Sequence, residues 1–124
     1  NNPIQVVATM SNIDEKEFFS NTIPKVVTRL DNRLLYASRA GIPTTKSLEF
    51  IYSKKQIGIY AFPKQSLIDF VSVDNKTPLE ALEDIEILRF LELGYEVQMV
   101  ELDDNSFAID IPADVKKVEA ILNV

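Results

Sequence analysis

Three features of the chain predict an α/β domain built on a mixed, mostly parallel sheet with flanking helices. Short runs of β-branched residues alternate with helical stretches, a pattern that favours crossover connections and parallel pairing. The segment Thr77-Pro78-Leu79-Glu80 offers an N-cap threonine, a proline at the first helical position and a glutamate three residues after the cap, which together start a helix. Two strand-like runs, 25–30 and 33–38, flank the turn dipeptide Asp31-Asn32 and predict a β-hairpin. A hairpin pairs antiparallel, so in such a sheet it is expected to project, and a projecting hairpin is a candidate dimer contact.

In chain order, residues 4–10 read as a buried strand, and Ser11 or Asp14 caps a helical turn through Phe19. After the hairpin, residues 41–54 hold Gly, Pro and hydroxyl side chains with little periodicity and read as loop. Residues 56–62 return to strand character around Gly58, which marks either a bulge or the close approach of a ligand or backbone. Pro63 opens a helix through about Val71, with Leu67, Ile68 and Val71 on one side. The helix begun at Thr77 is expected to run on, since Leu79, Leu82, Ile85, Leu88 and Leu91 recur near helical spacing and Gly94 ends it. A strand around Val97 and Met99, another at 107–110 and a last helix from Pro112 complete the order.

At 124 residues and 46% hydrophobic side chains, the chain makes one domain, 1–124, with a real core but no room for a second. A net charge of -6 argues against duplex nucleic acid as a partner. The absence of Cys and His removes disulfides, thiolate chemistry and every His-based catalytic triad. No stretch approaches the ~20 apolar residues of a membrane span, and residues 1–10 do not read as a signal peptide, so no membrane association and a cytoplasmic location are expected.

Several residues are candidates for chemistry. Asp110 follows a strand and precedes Pro112, so it either caps the last helix or lies at a carboxyl strand end as half of a Mg²⁺ site. Glu86 lies near the apolar face of its helix and either binds a substrate hydroxyl or sits in water at the margin of the stripe. Glu80, Glu83 and Glu92 read as cap and solvated face. Arg39 ends the second hairpin strand, either as a surface ion pair or as a fork for a carboxylate. Tyr60 reads as a core tyrosine whose hydroxyl reaches a partner.

Four segments, in order, resemble the C-terminal half of the CMP-sugar synthetases, closest to the 3-deoxy-manno-octulosonate (Kdo) type. They are Ser38-Arg39-Ala40-Gly41-Ile42-Pro43, Gln56-Ile57-Gly58-Ile59-Tyr60, the helix from Pro78-Leu79-Glu80 through Leu88-Arg89, and Ala108-Ile109-Asp110-Ile111-Pro112-Ala113-Asp114. The resemblance implies a nucleotide-diphospho-sugar transferase-like fold and transfer of CMP from CTP to an acidic ulosonic sugar with release of pyrophosphate. It implies that Arg39, Gln56, Tyr60 and Glu86 bind the sugar, that Asp110 is the catalytic, Mg²⁺-binding carboxylate, and that the protein is a homodimer. Gln56 stands where the Kdo enzymes usually carry His, and Ile87 stands for a Gln, which points to a divergent subgroup.

The glycine-containing, basic phosphate loop of the family's first half has no counterpart here, since Gly41, Gly58 and Gly94 are scattered. The chain therefore reads as the acceptor-sugar and dimerisation half, inactive alone, as a fragment or the product of a split gene. The alternative is a non-catalytic interaction module derived from the same fold.

Overall fold

The computed structural model describes residues 6–103, and the strand expected at 107–110, the helix from 112 and Asp110 lie outside the described residues. Within them, hydrophobic runs and caps divide the chain into β1 (Val6–Asn12), α1 (Glu15–Phe18), β2 (Lys25–Thr28), β3 (Leu34–Ser38), β4 (Lys54–Ala61), α2 (Lys64–Val71), α3 (Pro78–Glu83), α4 (Ile87–Glu92) and β5 (Val97–Glu101). Asp14, of the two capping candidates, starts α1: its carboxylate accepts the Glu17 N–H at 2.8 Å while Glu17 reaches back to the Asp14 N–H.

The strands form one mixed five-stranded sheet in the order β3-β2-β4-β1-β5. The class is as expected, but the balance of directions is not: among the described residues β1 pairs β5 in parallel, whereas β1–β4, β2–β4 and β2–β3 are antiparallel. The cause is the placement of the helices. α2, α3 and α4 all fall in the one connection from β4 to β5, which passes over β1, while the remaining connections carry at most the single turn α1.

The hairpin also departs from expectation. Its base joins the sheet through Lys25 and Val26 of β2. Its tip does not stand clear but is fastened to β5, where Arg33 bridges Gln98 and the Met99 N–H donates to the Asn32 carbonyl at 2.9 Å. Gln98 Nε2 donates to the Asp31 carbonyl, and Arg29 and Arg33 both pair with Glu96. β3 is thereby drawn over the sheet. Its Leu34 and Ala37 enter the same core as Val6, Ala8 and Met10 of β1, Val97 and Met99 of β5, and Ile87, Leu88 and Phe90 of α4. Burial of each large side chain there contributes roughly 1.5–3 kcal/mol.

The single long helix anticipated from Thr77 is broken. α3 ends at Asp84, whose φ of 55° and ψ of 48° are left-handed, and α4 starts three residues later. The leucine stripe splits with it: Ile85 and Leu88 are buried, whereas Leu79 is partly and Leu82 almost fully exposed. The apolar side of α2 is likewise open, with Leu67, Ile68 and Val71 exposed.

A buried lysine joins these pieces. Lys25 is inaccessible to solvent, and its ammonium donates to the carbonyls of Ser20, Ile23 and Arg39 at 2.5, 2.7 and 2.7 Å, one for each of its three protons. Burial, followed by the nearby positive charge of Arg39, pushes its pKa below the ordinary lysine value. Replacing it takes the ammonium donor from all three carbonyls and leaves Ser20 only the long bond from the Ile23 N–H at 3.4 Å, so Lys25→Met is expected to lower stability by about 2–4 kcal/mol, read as a fall in the denaturant midpoint at unchanged slope.

Candidate functional site

β4 carries two of the anticipated site residues, and a bulge brings them together. In a regular strand Gln56 and Tyr60 would stand about 13 Å apart. Here the register against β1 jumps from Ala8↔Tyr60 to Thr9↔Ile57, so Gly58 and Ile59 have no partners across the ladder. The Thr9 hydroxyl donates toward the Ile57 and Ile59 carbonyls at 3.2 and 3.5 Å, holding the bulged backbone. With the strand so bent, the Gln56 amide Nε2 donates to the Tyr60 hydroxyl. Gly58 is the bulge of the two alternatives read from sequence, and it also leaves space: a Cβ built there meets no atom within 4 Å.

Facing this bend is the α3–α4 break. Pro24, Gln56, Gly58, Tyr60, Asp84, Ile85 and Glu86 line one cleft of about 290 Å³. Three of the residues expected to bind the sugar, Gln56, Tyr60 and Glu86, thus meet in a single site. Glu86 is not inside a helix but is the N-cap of α4, exposed, and its carboxylate accepts no hydrogen bond from any described residue. The Gln56 carbonyl oxygen Oε1 is buried and also unpartnered. Burial raises the Tyr60 pKa above its ordinary value, the bond from Gln56 lowers it and the Glu86 charge raises it again, so the phenol keeps its proton at neutral pH. Because Gln56 supplies the bond that Tyr60 accepts, the phenolic O–H remains to donate to a ligand. The cleft therefore presents one donor, the Tyr60 O–H, and two acceptors, Gln56 Oε1 and the Glu86 carboxylate, a set suited to hydroxyl groups.

Arg39 does not line this cleft. Its guanidinium donates to the carbonyls of Glu83, Asp84 and Asn21 at 2.5, 2.8 and 3.3 Å, so it stands behind the cleft wall and holds it. Glu83 is not a solvated acid either. Its carboxylate accepts from the Tyr36 hydroxyl at 3.1 Å, the Ser38 hydroxyl at 2.7 Å and the Arg39 N–H at 3.0 Å. Burial works against its ionisation, but these bonds and the Arg39 charge outweigh it and hold its pKa below the ordinary value. Glu80 is buried in the same way: Arg89 grips it with two nitrogens at 2.7 and 3.0 Å and lies 4.0 Å over the Phe70 ring. Glu80 also keeps its expected capping role, accepting the Thr77 N–H at 3.1 Å, and Glu92 accepts the Leu79 and Glu80 N–H groups at 2.8 and 3.1 Å and caps α3 in turn. Sequence reasoning missed Asp84, whose left-handed backbone makes the break and lines the cleft. Among the described residues there is no group of three or more carboxylates placed to hold a metal ion, and no helix is long and apolar enough to cross a membrane.

Comparison with known proteins agrees with the fold. The chain is 38% identical over 114 residues to the 3-deoxy-manno-octulosonate cytidylyltransferase 2 of Hydrogenovibrio crunogenus, covering 90% of this chain and 44% of that protein. It is 41% identical to the 3-deoxy-manno-octulosonate cytidylyltransferase of Christiangramia forsetii, covering 80% of this chain and 40% of that one. The corresponding enzyme of Acidobacterium capsulatum is 34% identical, with coverage of 96% and 49%. The fold superposes on the structure of a CMP:2-keto-3-deoxy-manno-octonic acid synthetase complexed with CTP, with a TM-score of 0.75 and 27% identity, over 97% of this chain and 49% of that one. No family model matches. The chain spans about half the length of the curated relatives it matches.

The geometry makes two predictions. Glu80 and Glu83 both have folded pKa values held below the ordinary 4.5. Their contribution to stability is therefore complete above that pH and is lost as pH falls through the folded values. Unfolding followed by circular dichroism is expected to begin below about pH 4.5, and Glu83→Gln should flatten the acid limb. Second, Gly58→Val places its side chain in the open space of the cleft, so the thermal midpoint should stay within a few degrees of wild type while any ligand binding that the wild-type cleft supports falls.

Proposed function

We propose that this chain, related over nearly its whole length to the 3-deoxy-manno-octulosonate cytidylyltransferases, forms the acceptor-sugar side of an enzyme that transfers CMP from CTP to an acidic ulosonic sugar. One observation carries the reading. Gln56 and Tyr60 of β4 and Glu86 at the start of α4, which the resemblance assigns to the sugar, converge on one cleft.

In this reaction the anomeric hydroxyl oxygen attacks the α-phosphorus of CTP. The new O–P bond forms as the bond to pyrophosphate breaks, and the hydroxyl proton is released. The chain's own part is positioning. Tyr60 donates to a sugar oxygen, while Gln56 Oε1 and the Glu86 carboxylate accept sugar hydroxyls. These three fix which hydroxyl faces the nucleotide. Arg39 acts on the sugar through the Glu83–Asp84 wall it supports. The phosphate-binding elements would come from the remainder of a full-length protein, in which the homodimer and the cytoplasmic location also belong to the proposal.

Asp110 would hold Mg²⁺, whose chemistry when bound is to neutralise charge on the phosphates. The described residues supply no cation cage, so that role rests on Asp110 alone and no step is routed through the ion.

A second reading, a dimerisation module without chemistry, draws support from the open apolar side of α2, where Leu67, Ile68 and Val71 face solvent. Sugar binding separates the two. Titration calorimetry with Kdo is expected to give binding that Glu86→Gln and Tyr60→Phe each weaken by about tenfold, the effect of one lost hydrogen bond involving a charged or buried group. A chain that self-associates but ignores Kdo favours the module. In the full-length enzyme Asp110→Asn should abolish turnover, and undiminished activity at ordinary Mg²⁺ would remove it from the metal site.

A further inference from the structure

The contacts proposed for Tyr60, Gln56 and Glu86 serve hydroxyl and ring oxygens and leave the carboxylate of an acidic sugar without a partner. The charged side chains that line the cleft, Asp84 and Glu86, are both acids. A carboxylate beside them is repelled unless a cation stands between. Lys25 and Arg39, behind the wall, are turned to backbone carbonyls, and Lys55, next to Gln56, pairs with Glu17 at 2.6 Å. Nor can the carboxylate enter the recess that adjoins the cleft across Tyr60 and Glu86. The other walls of that recess are Phe62, Leu67, Phe70, Ile87 and Phe90, among which a charge would lose its water and gain no partner.

One cation does reach the rim of the cleft. Lys76 stands just before the N-cap of α3, and Asp84 is the C-cap of the same helix. With six residues α3 is only about 9 Å long, and the lysine side chain bridges its two ends, donating to Asp84 Oδ1 at 2.5 Å. Asp84 is the only hydrogen-bond partner of this ammonium among the described residues, so two of its three protons are open. The bond and the charge of Asp84, and then the charges of Glu80 and Glu86, outweigh desolvation and hold the Lys76 pKa above its ordinary value, so the group stays cationic. The pair is also loosely held. Its side chains are 51% and 69% exposed, and an ion pair in that setting is screened and contributes little. The capping box at Thr77 fixes the backbone at the root of Lys76, while its flexible stem lets the ammonium move from Asp84 to an anion lying against the same rim.

We infer that Lys76 binds the carboxylate of the acidic sugar, with Asp84 as the counter-ion it leaves to do so. The assignment rests on the reading of the cleft as an acidic-sugar site, and it gives Lys76 the contact that the position of Arg39 denies to that residue. Lys76 is then the group that distinguishes an acid from an uncharged sugar of the same shape. Asp84, which competes for the ammonium and repels the ligand, sets how much of that preference is expressed.

Titration calorimetry on this chain tests the assignment with two probes, Kdo and the uncharged amide of its carboxyl group. Kdo is expected to bind about fivefold more tightly than the amide, the upper range for one exposed ion pair, and the preference should shrink at about 1 M salt. Lys76→Met should abolish the preference by weakening Kdo while the amide binds as before, and Lys76→Arg should keep it. Asp84→Asn, which retains a residue type that tolerates the left-handed backbone, should tighten Kdo and not the amide. Adding Lys76→Met to Asp84→Asn should cancel that gain, which separates direct contact from mere relief of repulsion. Equal binding of Kdo and the amide, or a preference that survives Lys76→Met, overturns the inference and leaves the sugar site standing. No binding of either probe overturns the sugar site, and this inference with it.

Discussion

The cleft depends on a reciprocal grip between Arg39 and Glu83. The Glu83 carboxylate takes hydrogen bonds from Tyr36, Ser38 and the Arg39 N–H, so one end of α3 is anchored along β3. Arg39 answers with its side chain, donating to the Glu83 and Asp84 carbonyls, the groups that a helix end leaves unsatisfied. An uninterrupted helix would have used those carbonyls for its own next turn. With the guanidinium on them, the chain turns at left-handed Asp84, and Glu86 emerges at the start of α4 facing the bulge of β4. Lys25 extends the grip one step further by binding the Arg39 carbonyl together with two carbonyls of the loop before β2.

Charge makes this arrangement durable. A neutral hydrogen bond contributes about 1 kcal/mol net, and one to a charged group about 1.5–3. Arg39, Glu83 and Lys25 each direct an ionised group at several partners in a half-buried region, and Glu80 with Arg89 repeats the theme between α3 and α4. Leaving any one of them unpaired strands its partners in the same poorly solvated space. The two helices are therefore located mainly by polar contacts at their ends, while apolar packing fixes α4 through Ile87, Leu88 and Phe90 and leaves Leu79 and Leu82 of α3 outside.

What could be read from the sequence follows from the range of the interactions. The capping box at Thr77 and Glu80, the Asp14 cap, the hairpin turn and the helix after Pro63 are set by residues within four positions of each other, and all stand where the local pattern puts them. The break at Asp84 is different. The leucine spacing runs straight through it, and the groups that impose it lie 44 and 45 residues away in Arg39. Glu83 looked like a surface acid for the same reason, as its partners are on β3 and at Arg39 directly after it. The direction of strand pairing was illegible because alternation of strands and helices does not say that three helices share one connection. At the site, Gln56, Tyr60 and Glu86, which the resemblance groups together, line one cleft, whereas Arg39 stands behind its wall.

The divergent residues gain a meaning from this geometry. Ile87 replaces a polar residue expected from the resemblance, and taken alone such a change reads as loss of a sugar contact. In the fold, Ile87 is the first residue of α4, next to Glu86, and packs with Phe90 and the rest of the core. One step along the chain separates the free carboxylate of the polar cleft from the apolar wall of the recess beside it. Because both residues are fixed by the same helix start, the boundary between the polar and apolar parts of the site is set by backbone geometry, which a rotamer change cannot blur. A substitution that would empty a polar pocket of one contact thus moves an edge between two environments, and Tyr60 and Glu86, which line both hollows, stand on that edge.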